Sequence, residues 1–250
     1  MPSYTAKDKV RLDLLIVERG LAVSREKAQA MILAGEVIVA GVAAAKAGQS
    51  VPRDAEIAIR SRLQKFVSRG GFKLEGALND FAVECQGKVC VDVGSSNGGF
   101  TDCLLQRGAA RVYAVDVNID QLDWKLRNDG RVLRVKRNAR ELMSSDVPEA
   151  AQLVVADVSF ISVTKVLPAV AGVAEPGADF LILVKPQFEL ERGDIGPGGI
   201  VSDAALHERA IRSVGAGAAA AGLDVLGVKP SHLPGAEGNL EFFLHARKKA

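Results

Sequence analysis

The chain has 250 residues, 48 % of them hydrophobic and 25 % charged, with a net charge of +2. That length holds one domain of ordinary size and a small companion, and the composition excludes disordered and fibrous classes. No apolar run approaches the ~18 to 20 residues of a bilayer span. The start "MPSYTAKDKVRLD" carries charge where a secretory signal needs an apolar core. A cytoplasmic protein with no membrane partner is therefore expected. Cys85, Cys90 and Cys103 are odd in number and lack CxxC spacing, so buried thiols are expected rather than disulfides or a metal site. Charge is unevenly spread. From Met1 to Lys65 eleven Lys and Arg face seven Asp and Glu, hence +4, which leaves −2 for the remainder. The amino end is thus the part suited to a polyanion.

In chain order, "RLDLLIVERG" places Leu12, Leu15, Ile16 and Arg19 on helical spacings, and Gly20 supplies a left-handed stop. "SREKAQAMILAGE" restarts a helix with Ser24 as N-cap, Ala28, Met31 and Ile32 on one face, and Gly35 at its end. Short β segments follow at "VIVAG", "VAAAKAGQSV" and "DAEIAIRS", punctuated by Gly41, Gly48 and Pro52. Arg11, Arg25, Lys27, Lys46 and Arg53 recur on the polar positions of this unit. The order helix, "SR-x-x-A", helix, "G-x-V-x-V-x-G" resembles the S4 RNA-binding domain over roughly residues 11 to 60. That resemblance implies docking on structured RNA, which cationic side chains read through backbone and shape. "RLQKFVSRGG", with Lys65 and Arg69, then forms a basic joining segment that suits contact with RNA or with the second domain.

From Gly71 onward helix and strand alternate. Helices are expected at "KLEGALNDF", "GFTDCLLQRG" and "QLDWKLRND", and strands at "KVCVDVG", "RVYAVDV", "VLRVKR", "AQLVVADVS" and "ADFLILVKP". Intervening helices are weakest around 139 to 147 and clearer at 162 to 172. Near-continuous apolar strands in this alternation predict a parallel sheet covered on both faces. A long helix at "DAALHERAIRSVGAGAAAAG" leads to "LDVLGVKPS", a turn-rich "HLPGAEG" and "NLEFFLHARK", so the last strand should be antiparallel to its neighbour. Such a sheet is similar to the class I methyltransferase fold. The expected division is an α+β S4 RNA-binding domain at 1–61, a linker at 62–70 and an α/β methyltransferase domain at 71–250.

"VDVGSSNGGFTDCLL" is strand, glycine turn, helix, where doubly wound sheets bind nucleotides. Ser96 occupies the place of the second glycine of GxGxxG, which removes the pyrophosphate turn of nicotinamide enzymes. Asp92, Gly94, Ser96, Gly98 and Gly99 resemble motif I of S-adenosylmethionine enzymes, with Asn97 where many relatives carry Thr. Asp116 ends its strand where an acid can accept ribose hydroxyls, and Asn138 and Ala139 end the next, the usual neighbourhood of adenine. Phe100 and Phe160 either flank the cofactor or belong to the core. "LERGDIGPGGIV" is too glycine-rich to be regular and reads as a lid or a mobile connection.

"VVADVSFIS" lacks the Asn/Asp-Pro-Pro-aromatic sequence with which enzymes hold an exocyclic base amine, since Val158 and Ser159 follow Asp157. Base N-methylation is disfavoured. Lys73, Asp157, Lys185 and Glu241 instead match, in order and strand position, the Lys-Asp-Lys-Glu tetrad of FtsJ-type ribose 2′-O-methyltransferases. Together "VSRGG-x-KL", "DVGSSNGGFTD", "ADVSFIS", "LVKPQFE" and "GPGGIV" resemble the TlyA family along the whole chain. The family carries the names of both a hemolysin and a methyltransferase of ribosomal RNA. The resemblance implies S-adenosylmethionine as cofactor, ribosomal RNA in ribosomal subunits as partner, and a cytidine 2′-hydroxyl in 16S or 23S rRNA as target, the short termini pointing to 23S alone. A ribose hydroxyl is a weak acid, so attack on a sulfonium methyl needs proton removal and in-line alignment. A lysine serves if it is desolvated and near another cation. Lys185 is expected to activate the hydroxyl, Asp157 to orient it, and Lys73 and Glu241 to position the ribose. The competing classes are an RNA-binding assembly factor without catalysis, which retention of all four residues disfavours, and a membrane-active hemolysin, for which no amphipathic or long apolar segment is evident.

Overall fold

The computed structural model describes residues 9–33, 35–44, 46–59, 65–235 and 238–250. The expected boundary between residues 61 and 62 and the start of the linker lie outside the described residues. The chain divides into two units, Met1–Gln64 and Lys65–Ala250.

In the first unit β1 (Lys9–Arg11) runs into α1 (Leu12–Glu18), and α2 (Arg25–Leu33) follows. β2 (Val37–Val39), β3 (Val42–Ala43), β4 (Ser50–Pro52) and β5 (Ile57–Ile59) complete it. Here β1 pairs antiparallel with β4, and β2 lies between β3 and β5. Leu12, Leu15 and Ile16 from α1 meet Ala28, Met31 and Ile32 from α2 in a small core closed by Val37 and Val51. Ser24 Oγ accepts the Lys27 amide at 3.3 Å, the N-cap that the sequence announces. Arg19 lies outside the apolar stripe: it is exposed beyond α1 and donates to the carbonyls of Ala55 and Arg53.

The second unit is a seven-stranded sheet with helices packed against it. In chain order it comprises α3 (Gly70–Asp80), β6 (Val89–Val93), α4 (Gly99–Gln106), β7 (Arg111–Asp116), α5 (Trp124–Arg127) and β8 (Val132–Lys136). There follow β9 (Ala151–Ala156), α6 (Leu167–Gly172), β10 (Ala174–Val184), α7 (Pro186–Glu189), α8 (Ala204–Ala220), β11 (Leu223–Pro230) and β12 (Phe242–Lys248). The sheet order is β11-β12-β10-β9-β6-β7-β8. Strands β10, β9, β6, β7 and β8 are parallel, and β12 is antiparallel to both its neighbours.

Successive strand residues face opposite ways, and the apolar runs use both faces. Val91 and Val93, Val154 and Ala156, and Phe180, Ile182 and Val184 share one core with α6 and α8. Cys90, Leu153, Val155, Leu181 and Leu183 share the other with α3, α4 and α5. This two-sided burial is why the strands read as unbroken apolar stretches. All three cysteines are buried and free; burial pushes the Cys85 thiol up to about 11 and the other two higher still.

Two stretches differ from expectation. "QLDWKLRND" is split into a 3-10 turn at Ile119–Gln121 and the short α5, because Asp123 caps the new start by accepting the Lys125 amide at 2.9 Å. Residues 139 to 147 hold only a 3-10 turn at Ala139–Glu141, capped by Asn138.

Candidate active site

Ligands of doubly wound sheets sit beyond the carboxyl ends of the parallel strands, and the candidate residues gather there. Gly94 ends β6 with a left-handed φ of +82°, and a Cβ on it would come within 2.3 Å of the Asp157 carbonyl oxygen. Only glycine lets the β6–α4 turn pass this close to the end of β9. The amides of Gly94 and Ser95 both donate to the Val115 carbonyl, at 2.9 and 3.1 Å. Asp116, next along β7, receives the Ser96 amide on Oδ2 at 2.9 Å and the Asn118 amide on Oδ1 at 2.8 Å. Its carboxylate is thereby aimed by two backbone donors.

Two adjoining cavities, of about 290 and 380 Å³, open along this edge and share Gly94, Ser96 and Asp157 in their walls. The first is also lined by Ser68, Arg69, Lys73, Gly99 and Phe100, the second by Asp116, Val117, Gln121, Asn138, Ala139 and Phe160. Phe100 is buried and stacks on Phe243, whereas Phe160 is 92 % exposed, left-handed at φ +65°, and tilted over Phe188 with 5.4 Å between centroids.

Asp92 and Gly98 line neither cavity. Asp92 has no exposed surface; its Oδ2 accepts Thr101 Oγ1 at 2.6 Å and ties the first turn of α4 to β6. Burial, reinforced by the charges of Asp157 and Asp116, pushes its carboxyl up to about 7.

The four tetrad positions form two lysine–carboxylate pairs. Lys185 directly follows β10 and is buried; its Nζ stands 2.5 Å from Asp157 Oδ1 and donates to Ser159 Oγ at 2.8 Å. Phe188 closes the other side, with its ring centroid 5.8 Å from Nζ. Lys73, on α3, donates to Glu241 Oε2 at 2.6 Å, and this pair is the more buried of the two, because Glu241 is enclosed where Asp157 is partly open. Glu241 precedes β12 rather than lying in it. Lys73 and Asp157, one from each pair, line the same cavity. Glu241 packs so tightly on Gly235 that a Cβ there would come within 2.1 Å of Oε1.

The structure adds residues that the motifs did not single out. Ser159 is the second partner of Lys185. Asn239 is buried and accepts the Val201 amide at 2.9 Å, donates to the Gly199 carbonyl at 3.0 Å, and receives the Gly235 amide on its own carbonyl at 2.8 Å. It thus fastens the segment "GPGGIV" to the loop that carries Glu241. His207 holds the Val201 carbonyl from the other side at 2.8 Å. In sequence, Ser159 and Asn239 each stand two positions from a tetrad member, in "DVS" and "NLE", a spacing that by itself marks no role.

Of the cationic candidates, Lys27 and Lys46 are exposed, Arg53 pairs with Glu18 at 2.6 Å, and Arg11 and Arg25 converge on Asp13. In the second unit Lys65 pairs with Glu75, and the exposed Arg69 reaches the Pro234 carbonyl at 3.4 Å. Among the described residues no helix is long and apolar enough to cross a membrane, and no cluster of His, Cys, Asp and Glu could hold a metal.

A small S4-like unit followed by this sheet, with its antiparallel closing strand, has the architecture of a class I methyltransferase joined to an RNA-binding module. The chain belongs to the FtsJ-like methyltransferase family: residues 66–248 match that family, and residues 10–57 match the S4 domain. More narrowly, it is a homologue of TlyA. It is 46 % identical over 241 residues to the 16S/23S rRNA (cytidine-2′-O)-methyltransferase TlyA of Mycobacterium tuberculosis, covering 96 % of this chain and 90 % of that one. It is 39 % identical to hemolysin A of Brachyspira hyodysenteriae, over 94 % of this chain and 99 % of the relative. A solved structure from Streptococcus thermophilus, described as a hemolysin, superposes with a TM-score of 0.76 at 40 % identity, covering 98 % of this chain and 90 % of that one.

Proposed function

We propose that this chain is a cytoplasmic enzyme that transfers a methyl group from S-adenosylmethionine to the 2′-hydroxyl of a cytidine in ribosomal RNA, in 23S, 16S or both. The supporting observation is the buried Lys185, held by Asp157 and Ser159, where Asp157 lines the same cavity as Lys73. The division into an RNA-docking unit at 1–61, a joining segment at 62–70 and a transferase unit from 71 belongs to this reading.

The second cavity suits a nucleoside. The aimed carboxylate of Asp116 can accept two ribose hydroxyls, and Val117, Asn138 and Ala139 offer an apolar wall with polar edges for a purine. Gly94, Ser96 and Gly99 bring backbone to the boundary with the first cavity, where S-adenosylmethionine, when bound, supplies an electrophilic methyl on sulfur. Asp92 acts from behind by fixing α4, and Gly98 by allowing the turn. The target ribose enters the first cavity. Lys185 Nζ then takes the 2′-hydroxyl proton when neutral, or as an ammonium donates to the hydroxyl oxygen and makes it more acidic, Asp157 and Ser159 fix that nitrogen, and the Lys73–Glu241 pair sets the sugar for in-line attack. The remaining cations, Arg11, Arg25, Lys27, Lys46, Lys65 and Arg69, contact RNA phosphates.

Lys185→Ala is expected to abolish methyl transfer, a fall of at least about a hundredfold for loss of a general base. Binding of S-adenosylmethionine, read by calorimetry, should stay within a few-fold of the unmodified protein. Retained transfer would remove Lys185 from the reaction.

A further inference from the structure

The most basic part of the chain contains a carboxylate with no exposed side-chain surface. Asp13 is 0 % exposed, yet it lies in α1 among cations. Arg11 grips it with two parallel bonds, Nε to Oδ1 at 3.0 Å and Nη2 to Oδ2 at 2.9 Å. Arg25 Nε donates to Oδ2 at 3.0 Å, Gln29 Nε2 at 2.9 Å, and the Leu14 amide meets Oδ1 at 3.0 Å. Five donors fill the acceptor sites of one carboxylate.

The side chains of Arg11 and Arg25 are 46 % and 48 % exposed. Among the described residues, Nη1 of Arg11 and both terminal nitrogens of Arg25 make no hydrogen bond. Arg11 also lies against the backbone at Gly48, where a Cβ would stand 3.2 Å from Nη2. Two forked, permanently charged donors from different elements are thus held in one place, half exposed, with net charge +1 and, among the described residues, N–H groups that make no hydrogen bond. Such forks match the oxygens of a phosphate. The same bonds, those of Arg11 foremost, hold the Asp13 carboxyl well below the usual carboxylate range, so the arrangement persists at neutral pH.

We propose that Asp13 is a positioning residue that builds, from Arg11 and Arg25, a two-guanidinium site for one phosphodiester of structured RNA. The inference rests on the reading that this unit binds RNA, and it names the device that does so. Asp13 never meets the ligand; it sets the spacing of the two cations that do.

The sign of the effect separates positioning from simple charge. Asp13→Asn adds one positive charge to the unit, so unspecific attraction would tighten binding to RNA. Loss of the array instead weakens it. The measurement is fluorescence anisotropy of the full chain with a labelled ribosomal RNA hairpin, repeated across a salt series and accompanied by far-UV circular dichroism.

Asp13→Asn is expected to weaken binding by about tenfold and to make the log–log salt slope shallower by about 1, because the protein then neutralises one phosphate fewer. Arg25→Lys keeps the charge and leaves Asp13 with Arg11 and Gln29; it is expected to weaken binding several-fold with the same change of slope. A folded Asp13→Asn protein that binds equally well or better overturns the proposal. Where Asp13→Asn fails to fold, Arg25→Lys decides: unchanged affinity and slope overturn it. An unmodified chain that does not bind the hairpin overturns the RNA reading and this inference with it, whereas binding without sensitivity to these changes overturns the inference alone.

Discussion

At Asp92 a single carboxyl reports how the site is built. Folded Asp92 keeps its proton up to about 7, whereas an aspartate in the unfolded chain loses it near 4. Between those values the folded state binds the extra proton, so stability declines as pH rises through that window, by at most ~1.4 kcal/mol per pH unit. Asp92→Asn is expected to flatten this decline in urea denaturation followed by the fluorescence of Trp124, the single tryptophan of the chain, which lies in the second unit. An unchanged slope would mean that Asp92 is charged in the folded state. Single residues were also where the sequence was least and most telling. A lysine ending the apolar run "LILV" is conspicuous, and its place over the sheet edge follows from strand periodicity. Its attachment to Ser159 as well as Asp157 was not legible, because a serine two residues beyond an aspartate announces nothing until the β9 end is folded beside that of β10. Likewise Asp92, grouped by motif with ligand-binding positions, points into the core, since strand alternation sends every second residue away from its neighbours' face.

Among elements, the segment from residue 190 to 201 shows how an irregular stretch acquires a fixed place. Its composition excludes a helix or strand, and the structure shows two 3-10 turns, Arg192–Asp194 and Pro197–Gly199, before a buried Val201. What holds it is a side chain far along the chain, Asn239. Asn239→Ala leaves the Val201 amide and the Gly199 carbonyl without their partner. Val201 is buried and Gly199 exposed, so a loss of about 1 to 3 kcal/mol is expected from the one orphaned buried amide. Methyl transfer is expected to fall with it, because Glu241 belongs to the same loop. A variant as stable and as active as the parent would show that this fastening is dispensable. Long elements with clear periodicity, such as α8 and β10, were legible in the sequence. The three-residue β1 and the break that shortens the expected helix to α5 were not, since at that length a cap such as Asp123 and pairing with a distant strand decide the outcome.

Over the whole molecule, short, basic, glycine-punctuated segments give way to strand–helix alternation, from which the sequence reading expects a domain at 1–61, a linker at 62–70 and a domain from 71; the structure has two units, Met1–Gln64 and Lys65–Ala250. The order of the parallel strands and the antiparallel β12 place the ends of β6, β7, β9 and β10 along one edge. The candidate residues, scattered from Lys73 to Glu241, need that order to meet; five short motifs could show only that they recur in sequence. The division of labour proposed here gives RNA docking to the first unit and methyl transfer to the second. Its most direct test is transfer of labelled methyl from S-adenosylmethionine to isolated 30S and 50S ribosomal subunits, with mapping of the modified nucleotide. The expected result is label on the 2′-oxygen of a cytidine in 23S rRNA, 16S rRNA or both, absent with Lys185→Ala. Label on neither subunit by a protein that binds the cofactor, or label on a base nitrogen or carbon, would contradict the account.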